Sequence, residues 1–419
     1  MHVQRQTISV EEALRRLLAD LTPLPEEQVG IGEAYGRTLA QNLAATCDMP
    51  PFDRSPLDGF AVRAADTAGA TPDQPVRLRV LETVGAGQVP RQTVTAGTAV
   101  RIMTGAMIPP GADAVIMFEQ TEQPGRQLEW VGVKRALRTG ENISRRGEEI
   151  AAGACVARAG TRINAGILAV LAAFGYAQVP VVRRPRVGLI STGTELLDVD
   201  QPLEPGKIRN SNAVMLSALI AEAGGIPVWF GRLPDDLALA KRQLANCLEE
   251  VDLLVTSGGV SVGDFDVMAA LANDPEVTLL FNRVAMRPGG PTTGLLFRDK
   301  LVCALSGNPG ACFLGAQLFV RPVLRRLQGD RETGLRRIRA TLAESYTKPC
   351  PFPRYLRGRL TEREGKLYVV PDHNDKAGNL STLGKSECFL IIPAGGRGKQ
   401  AGETVDVIPH AAPEWREEA

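Results

Sequence analysis

Hydrophobic positions change period several times along the chain, and each change marks a different kind of element. Near the start, Val10, Leu14 and Leu17 share one helical face, and Ser9 followed by Glu12 forms a capping box that would open this helix. A second helix is predicted over residues 29–43. After the breaker cluster Asp48-Met49-Pro50-Pro51 the apolar runs become short and β-like, at 76–83, 98–103 and 114–119, with Gly and Pro between them. Helical spacing returns at Asn164, which would cap residues 165–174 before Gly175 closes the helix. This piece would pack with the first two helices and make the β segment an insertion.

From residue 186 to about 328 the pattern alternates. Strands are predicted at 187–191, 226–231 and 253–256, with helices at 212–223 and 235–250 between them. Short strands follow near 279–283, 294–297 and 301–305, then a helix from about 309 to 327. Such alternation implies a mostly parallel sheet flanked by helices. Beyond residue 337, candidate strands at 338–344, 355–360, 366–370, 388–392 and 404–408 suggest a small terminal barrel. The predicted fold class is therefore multidomain, α/β plus β. Its helical/linker domain is in two parts, 1–50 and 141–183, with an inserted small β domain at 51–140. A central α/β domain at 184–329 and a C-terminal small β-barrel at 330–419 complete it.

Composition narrows the function classes. The 419 residues carry 48 Lys and Arg against 47 Asp and Glu, so no net field draws the protein onto nucleic acid or anionic lipid, and 5% aromatic content leaves few platforms for base stacking. The seven cysteines are scattered without a Cys-x-x-Cys pair, which suits a reducing compartment. No apolar run approaches a membrane span, so the expectation is a soluble, cytoplasmic protein. Histidine occurs only at His2, His373 and His410. Chemistry between residues 3 and 372 must then rely on carboxylates, cations, hydroxyls and backbone amides.

In an open α/β sheet the ligand lies beyond the carboxyl ends of the strands. Four loops there are suggestive: Ser191-Thr192-Gly193-Thr194-Glu195, Pro234-Asp235-Asp236, Ser257-Gly258-Gly259 running on to Asp264 and Asp266, and Ser306-Gly307-Asn308-Pro309-Gly310. They offer hydroxyls and glycine amides for phosphate, helix N-termini for anions, and Glu195, Asp235 and Asp266 for a divalent metal. Plainer readings stand beside these. Asp235 is equally well explained as a helix N-cap, Glu195 as a response to the helix dipole, and Asn308-Pro309 as an ordinary helix entry. Arg283 and Arg287, four apart before a Pro-Gly turn, could receive an oxyanion or form a solvated edge. Outside the sheet, Asp58-Gly59 reads as a turn within an acid and aromatic motif. Thr104 places a hydroxyl between a strand and Gly105, and Arg145-Arg146 could contact phosphate or sit in a polar linker.

In this order the motifs resemble those of the molybdopterin molybdenumtransferase family, MoeA in bacteria, related to the E domain of gephyrin. Residues 50–61 match Pro-x-Phe-Asp-Asn-Ser-Ala-Met-Asp-Gly-Tyr-Ala, 102–106 match Ile-Met-Thr-Gly-Ala, and 145–149 match Arg-Arg-Gly-Glu-Asp. Residues 191–196 match Ser-Thr-Gly-x-Glu-Leu and 257–263 match Ser-Gly-Gly-Val-Ser-Val-Gly. The resemblance covers most of the chain. It implies an elongated homodimer with a molybdopterin-binding α/β domain whose cleft is closed by the partner's β domain, so that Asp58 and Thr104 act across the dimer. The implied reaction takes adenylylated molybdopterin and molybdate as substrates, inserts molybdenum and releases AMP with Mg²⁺.

By the same resemblance Ser257, Gly258 and Gly259 would seat the pterin phosphate, with Ser191, Thr192, Gly193, Asn308, Arg145 and Arg146 among the substrate contacts. Glu195, Asp235 and Asp266 would hold Mg²⁺ or orient the attacking oxygen. Arg283 and Arg287 would attract the anionic substrate, and Arg357 would help capture molybdate. A transient contact with the molybdopterin adenylyltransferase belongs to the same expectation. The chain departs from the family pattern at Arg54, Glu149, Arg283, Arg287, Gly290 and Ser306, and at Gly290 a lysine is expected. Two other readings stay open, a metal-dependent pyrophosphate hydrolase and a scaffold without insertase activity.

Overall fold

The computed structural model describes residues 6–122, 129–234, 236–260, 267–271 and 274–411. The chain divides into two units, one of residues 1–41, 159–165 and 178–419, the other of residues 42–158 and 166–177.

A six-stranded sheet organises the first unit, in the order Ile226–Arg232, Arg186–Ser191, Leu253–Ser257, Lys300–Leu305, Thr293–Phe297, Val277–Phe281. The first four strands pair parallel; Thr293–Phe297 runs against them, and Val277–Phe281, antiparallel to that strand, runs with them again. Leu253–Ser257 is buried along its whole length, as a central strand covered on both faces must be. One face packs on Val187, Leu189, Leu216, Ile220 and Phe319, and the other on Ile190, Leu244, Leu248 and Val302. The hairpin Thr293–Phe297 to Lys300–Leu305 turns on Arg298 and Asp299, both with positive φ (49° and 62°), which matches the twist of the flanking strands.

Helices Pro309–Gly315 and Arg321–Leu327 form one run joined by a π-turn over Ala316–Val320. Pro322, at the start of the second part, has no N–H for an ordinary helical bond, and the wider turn accommodates that. The terminal domain is a closed barrel in the order Ile338–Leu342, Lys366–Pro371, Arg354–Arg363, Cys388–Ile392, Thr404–Pro409. Its core holds Leu342, Tyr346, Val369, Leu390 and Val407.

The second unit contains a mixed six-stranded sheet, ordered Ala114–Met117, Gly59–Val62, Thr98–Ile102, Val76–Val84, Trp130–Val133, Thr121–Glu122. Phe60, Leu78, Ile116 and Val131 form its core. Gly59 is required there, because a Cβ would come within 1.9 Å of the Ile116 carbonyl oxygen.

Two expectations are corrected. No α-helix covers residues 29–43: Glu26–Gly30 is a strand paired antiparallel with Gln178–Val182, followed by the short 3₁₀ turn Ile31–Glu33. Gly30, Gly32 and Gly36 weaken a helix there, and Gly36 adopts φ +72°, while Val29 lies opposite the buried Val179. The helix Val10–Leu18 belongs to the α/β core, where Val10, Ala13 and Leu17 join Phe281 and Phe319. Its cap is half of the predicted box. Ser9 Oγ accepts from the Glu12 N–H at 3.0 Å, but the Glu12 carboxylate turns to Arg15 and Arg16.

Candidate active site

A cleft of about 1680 Å³ opens at the carboxyl ends of the parallel strands of the first unit. Its wall is made by loop 192–196, the segment 203–212, the glycines after Ser257, residues 286–291, the entry to helix Pro309–Gly315, and barrel residues 375–380.

The floor is fixed by backbone geometry. Gly258 and Gly259 have φ +91° and +67°, and a Cβ on Gly258 would lie 2.5 Å from Thr192 Oγ1. Thr192 donates its N–H to the Ser257 carbonyl at 2.9 Å, closing the floor between two strand ends. The expectation that Gly258 offers its amide to phosphate is corrected, because that N–H donates to the Leu305 carbonyl at 3.0 Å. Gly258 therefore joins two loops and brings the backbone close, without presenting a donor. Gly193, φ +125°, serves the neighbouring loop: a Cβ there would meet the folded-back Glu195 carboxylate at 2.3 Å.

Beneath the floor lies a polar network for which the strand and helix patterns carried no signal. Asn210 caps helix Ser211–Glu222 through Oδ1 and donates from Nδ2 to Ser191 Oγ at 2.9 Å. Ser191 is buried and its hydroxyl is occupied by Asn210, so it braces the wall and is not among the lining residues. Asn212 donates from Nδ2 to Ser257 Oγ and to the Gly307 carbonyl, each at 2.8 Å, tying two strand-end loops together. Both asparagines sit in an ordinary helix-start sequence, so neither stood out before folding.

Charged groups on the wall divide into paired and unpaired sets. Arg354 pairs with Asp375, which also accepts from Tyr346 and Lys348. Burial pushes the Asp375 carboxyl up, but bonds from Tyr346 and Lys348 and the charges of Lys348 and Arg354 outweigh it and hold the group below the usual carboxylate range. Burial, with the bond to Asp375, pushes the Tyr346 hydroxyl well above its ordinary value. By contrast Lys207, Arg209, Arg287 and Lys376 have no carboxylate partner among the described residues, and neither does exposed Glu195 a cationic one. Sequence reading passed over Lys207, Arg209, Arg354, Asp375 and Lys376, because loop and barrel-strand charges resemble surface charges until the chain folds.

The remaining site residues fall as follows. Arg287 is exposed on the wall, its backbone pinned to the barrel by its N–H on the Pro353 carbonyl (3.0 Å) and the Tyr355 N–H on its own carbonyl (2.9 Å). Arg283 is exposed but is not a lining residue, since its segment bridges to Ile8. Arg357 is 7% exposed and lies behind the wall, donating to the carbonyls of Asn374, Lys376 and Asn379. The guanidinium holds the barrel loop that reaches the cleft. Asn308 lines the cleft at a helix entry with no side-chain cap bond. Asp236 caps helix Leu237–Glu250, accepting from the Leu239 N–H at 2.8 Å. Asp235, Asp264 and Asp266 lie outside the described residues. Among the described residues no group of three or more His, Cys, Asp or Glu could hold a metal ion, and of the metal candidates Glu195 is the one that is described.

The second unit carries its own set. Asp58 Oδ1 accepts from the Thr104 N–H at 2.7 Å and from Thr104 Oγ1 at 2.8 Å. These bonds, the backbone one first, hold the Asp58 carboxyl below its usual range, with Arg101 adding to the effect. Arg145 donates to Asp53 Oδ2 at 2.7 Å, and Arg146 to Asp53 through its N–H and to Asp48 through Nε. Arg54 and Glu149, both departures from the motif pattern, pair with each other at 2.9 Å. The seven cysteines are free, and no helix among the described residues is long and apolar enough to cross a membrane.

Comparison with known proteins accounts for nearly the whole chain. Residues 8–175 match the MoeA N-terminal region (domain I and II), 188–326 a probable molybdopterin binding domain, and 339–410 the MoeA C-terminal region (domain IV). A molybdopterin molybdenumtransferase of Bacillus subtilis is 44% identical over 97% of this chain and 94% of its own length. One from Staphylococcus epidermidis is 41% identical over 100% and 99%. The crystal structure of the molybdopterin biosynthesis moeA protein of Pyrococcus horikoshii superposes with a TM-score of 0.83 at 33% identity, covering 97% of this chain and 100% of that one.

Proposed function

Starting from the fact that this chain belongs to the MoeA family of molybdopterin molybdenumtransferases, transferases of molybdenum cofactor biosynthesis, we propose that its substrates are adenylylated molybdopterin and molybdate. The observation that carries this reading is the cleft wall, where Lys207, Arg209, Arg287 and Lys376 stand without carboxylate partners among the described residues. Such a surface suits a ligand that carries several negative charges.

In this reading the pterin phosphate rests on the Ser257–Gly259 floor, where glycine allows close approach. Arg287 and Lys376 attract the oxyanion. Water attacks the phosphoanhydride so that AMP leaves and the pterin keeps its phosphate, and the two dithiolene sulfurs give up their protons and replace one oxo ligand of molybdate, which departs as water. Glu195, free of a cationic partner among the described residues, fits a Mg²⁺ ligand, with Asp235 and Asp266 proposed from sequence as the others. When bound, Mg²⁺ supplies positive charge against that building on the cleaved phosphates. Asp58 and Thr104 are proposed to complete the cleft of the partner subunit in a homodimer, and Arg145 and Arg146 to approach its phosphate. A cytoplasmic location and substrate handover from the adenylyltransferase belong to the same proposal.

Gly290 favours one second reading, since no cation stands at that position of the wall. A pyrophosphate hydrolase would release AMP without using molybdate. The test is AMP release from adenylylated molybdopterin by purified protein with Mg²⁺, with and without molybdate. Release that requires molybdate supports the transferase reading. Equal release in its absence supports the hydrolase, and no release in either case contradicts both.

A further inference from the structure

We propose that Arg101 is a positioning residue for Asp58, held on the ring of Phe118 so that it lends positive charge to the carboxylate without bonding to it. This rests on the reading that Asp58 and Thr104 work on an anionic substrate.

Strand pairing brings these side chains together. Phe60 in Gly59–Val62 lies directly opposite Arg101 in Thr98–Ile102, and opposite residues of an antiparallel pair share a face of the sheet. On its other edge Gly59–Val62 pairs with Ala114–Met117, and Phe118 follows that strand at once. The Phe118 N–H donates to the Asp58 carbonyl at 3.3 Å, which fixes the ring beside the acid. Buried Phe60 meets Phe118 edge-on, with ring centroids 5.4 Å apart, and the Arg101 guanidinium carbon lies 4.9 Å from the Phe118 centroid. The negative face of an aromatic ring attracts a cation, so Arg101 has a seat that needs no carboxylate.

Packing alone does not call for an arginine here. Its Nε is buried without a hydrogen-bond partner, and among the described residues no carboxylate forms an ion pair with it. An unpaired buried donor is costly, and an apolar side chain in its place would carry no such cost. At Asp58 both Thr104 donors fall on Oδ1, and among the described residues Arg101 is the charged side chain whose field acts on the carboxylate. A forked arginine–carboxylate pair would occupy both oxygens. Charge held on the ring leaves Oδ2 open. That matters because the proposed substrate carries several negative charges, and their approach works against an ionised carboxylate. Arg101 offsets this repulsion and keeps the oxygen available for chemistry.

The test is AMP release by the full chain, followed across pH with adenylylated molybdopterin, Mg²⁺ and molybdate. Arg101→Gln is expected to lower kcat/KM roughly tenfold, within the range of couplings between neighbouring groups, and to move the acid limb of the profile to higher pH. Arg101→Lys is expected to restore most of both. Phe118→Leu removes the ring and keeps the arginine, and is expected to move the acid limb in the same direction. On the residual turnover of Asp58→Asn, adding Arg101→Gln is expected to cost nothing further, an outcome that a merely structural role would not produce. A wild-type kcat/KM and acid limb in Arg101→Gln overturn the proposal, and so does an equal loss with and without the Asp58 carboxylate. If Arg101→Gln does not fold, an unmoved acid limb in Phe118→Leu overturns it. In each of these cases a crippled Asp58→Asn leaves the proposed function standing. Wild-type turnover in Asp58→Asn is the separate result that sinks the reading of Asp58, and the proposal with it.

Discussion

Asp58 accepts both the backbone N–H and the side-chain hydroxyl of Thr104 on a single carboxylate oxygen, at 2.7 and 2.8 Å. Both donors stabilise the ionised form, so the carboxylate stays charged to lower pH than an ordinary aspartate. Thr104→Val removes the hydroxyl and keeps the N–H. The Asp58 carboxyl should then titrate at higher pH, visible by carbon NMR, and turnover should fall by roughly ten- to a hundredfold if the pair acts in chemistry. Wild-type turnover in both Thr104→Val and Asp58→Asn would remove the pair from the mechanism.

Gly290 can accept a side chain. Its φ is not in the left-handed region, and a Cβ would sit 3.4 Å from the Met286 carbonyl oxygen and 3.5 Å from that of Val284, close to ordinary contact. Gly290→Lys should therefore fold normally and add a cation to the wall. Molybdate should bind about three- to tenfold more tightly, read as a lower KM for molybdate, with the gain shrinking at high salt. An unchanged KM would mean that the oxyanion sits elsewhere.

Gly258 cannot. With φ +91° and Thr192 atoms at 2.5 and 2.9 Å from the Cβ position, Gly258→Ala must strain the backbone and push the two floor loops apart. A loss of about 1–3 kcal/mol in stability is expected by denaturant unfolding, with substrate affinity falling alongside. Gly153, with φ +82° and nothing within 4 Å, is the control, where alanine meets backbone strain alone.

His410 gives the fold a pH dependence of known sign. It packs edge-on to Phe313 at 5.0 Å and against Phe389 at 4.8 Å, with Nε2 3.1 Å from Ser386 Oγ. Burial first, then the charge of Arg321, pulls its pKa from 6.5 down to about 4. The unfolded chain binds this proton below about pH 6.5 and the folded chain only below about pH 4, so stability is fully present above pH 6.5 and is lost as pH falls through this window. The loss amounts to about 3 kcal/mol. His410→Gln should flatten that part of the stability profile measured by urea unfolding between pH 7 and 4. An unchanged slope would assign the dependence to other groups.

Much of the α/β domain was legible before folding. Val187, Leu189 and Leu253 to Val255 are continuous apolar runs because both faces of a parallel strand are buried, and the glycines after Ser257 marked the floor. The strand at Glu26–Gly30 was misread because its apolar positions are sparse and its pairing partner lies some 150 residues away, at Gln178–Val182. The wall cations were missed for a related reason. Lys207 and Lys376 gain meaning only when a strand-end arm and a barrel loop meet at one cleft. Likewise the Arg54 and Glu149 departures looked independent in sequence, and in the fold they are one ion pair.

The most direct measurement of the central claim is molybdenum insertion itself. Purified protein is given adenylylated molybdopterin, Mg²⁺ and molybdate, and the product is tested for activation of a cofactor-free molybdoenzyme while AMP is counted in the same sample. The account predicts activation in step with AMP release, and loss of both in Glu195→Gln. AMP release with no activating cofactor, or full activity in Glu195→Gln, would contradict it.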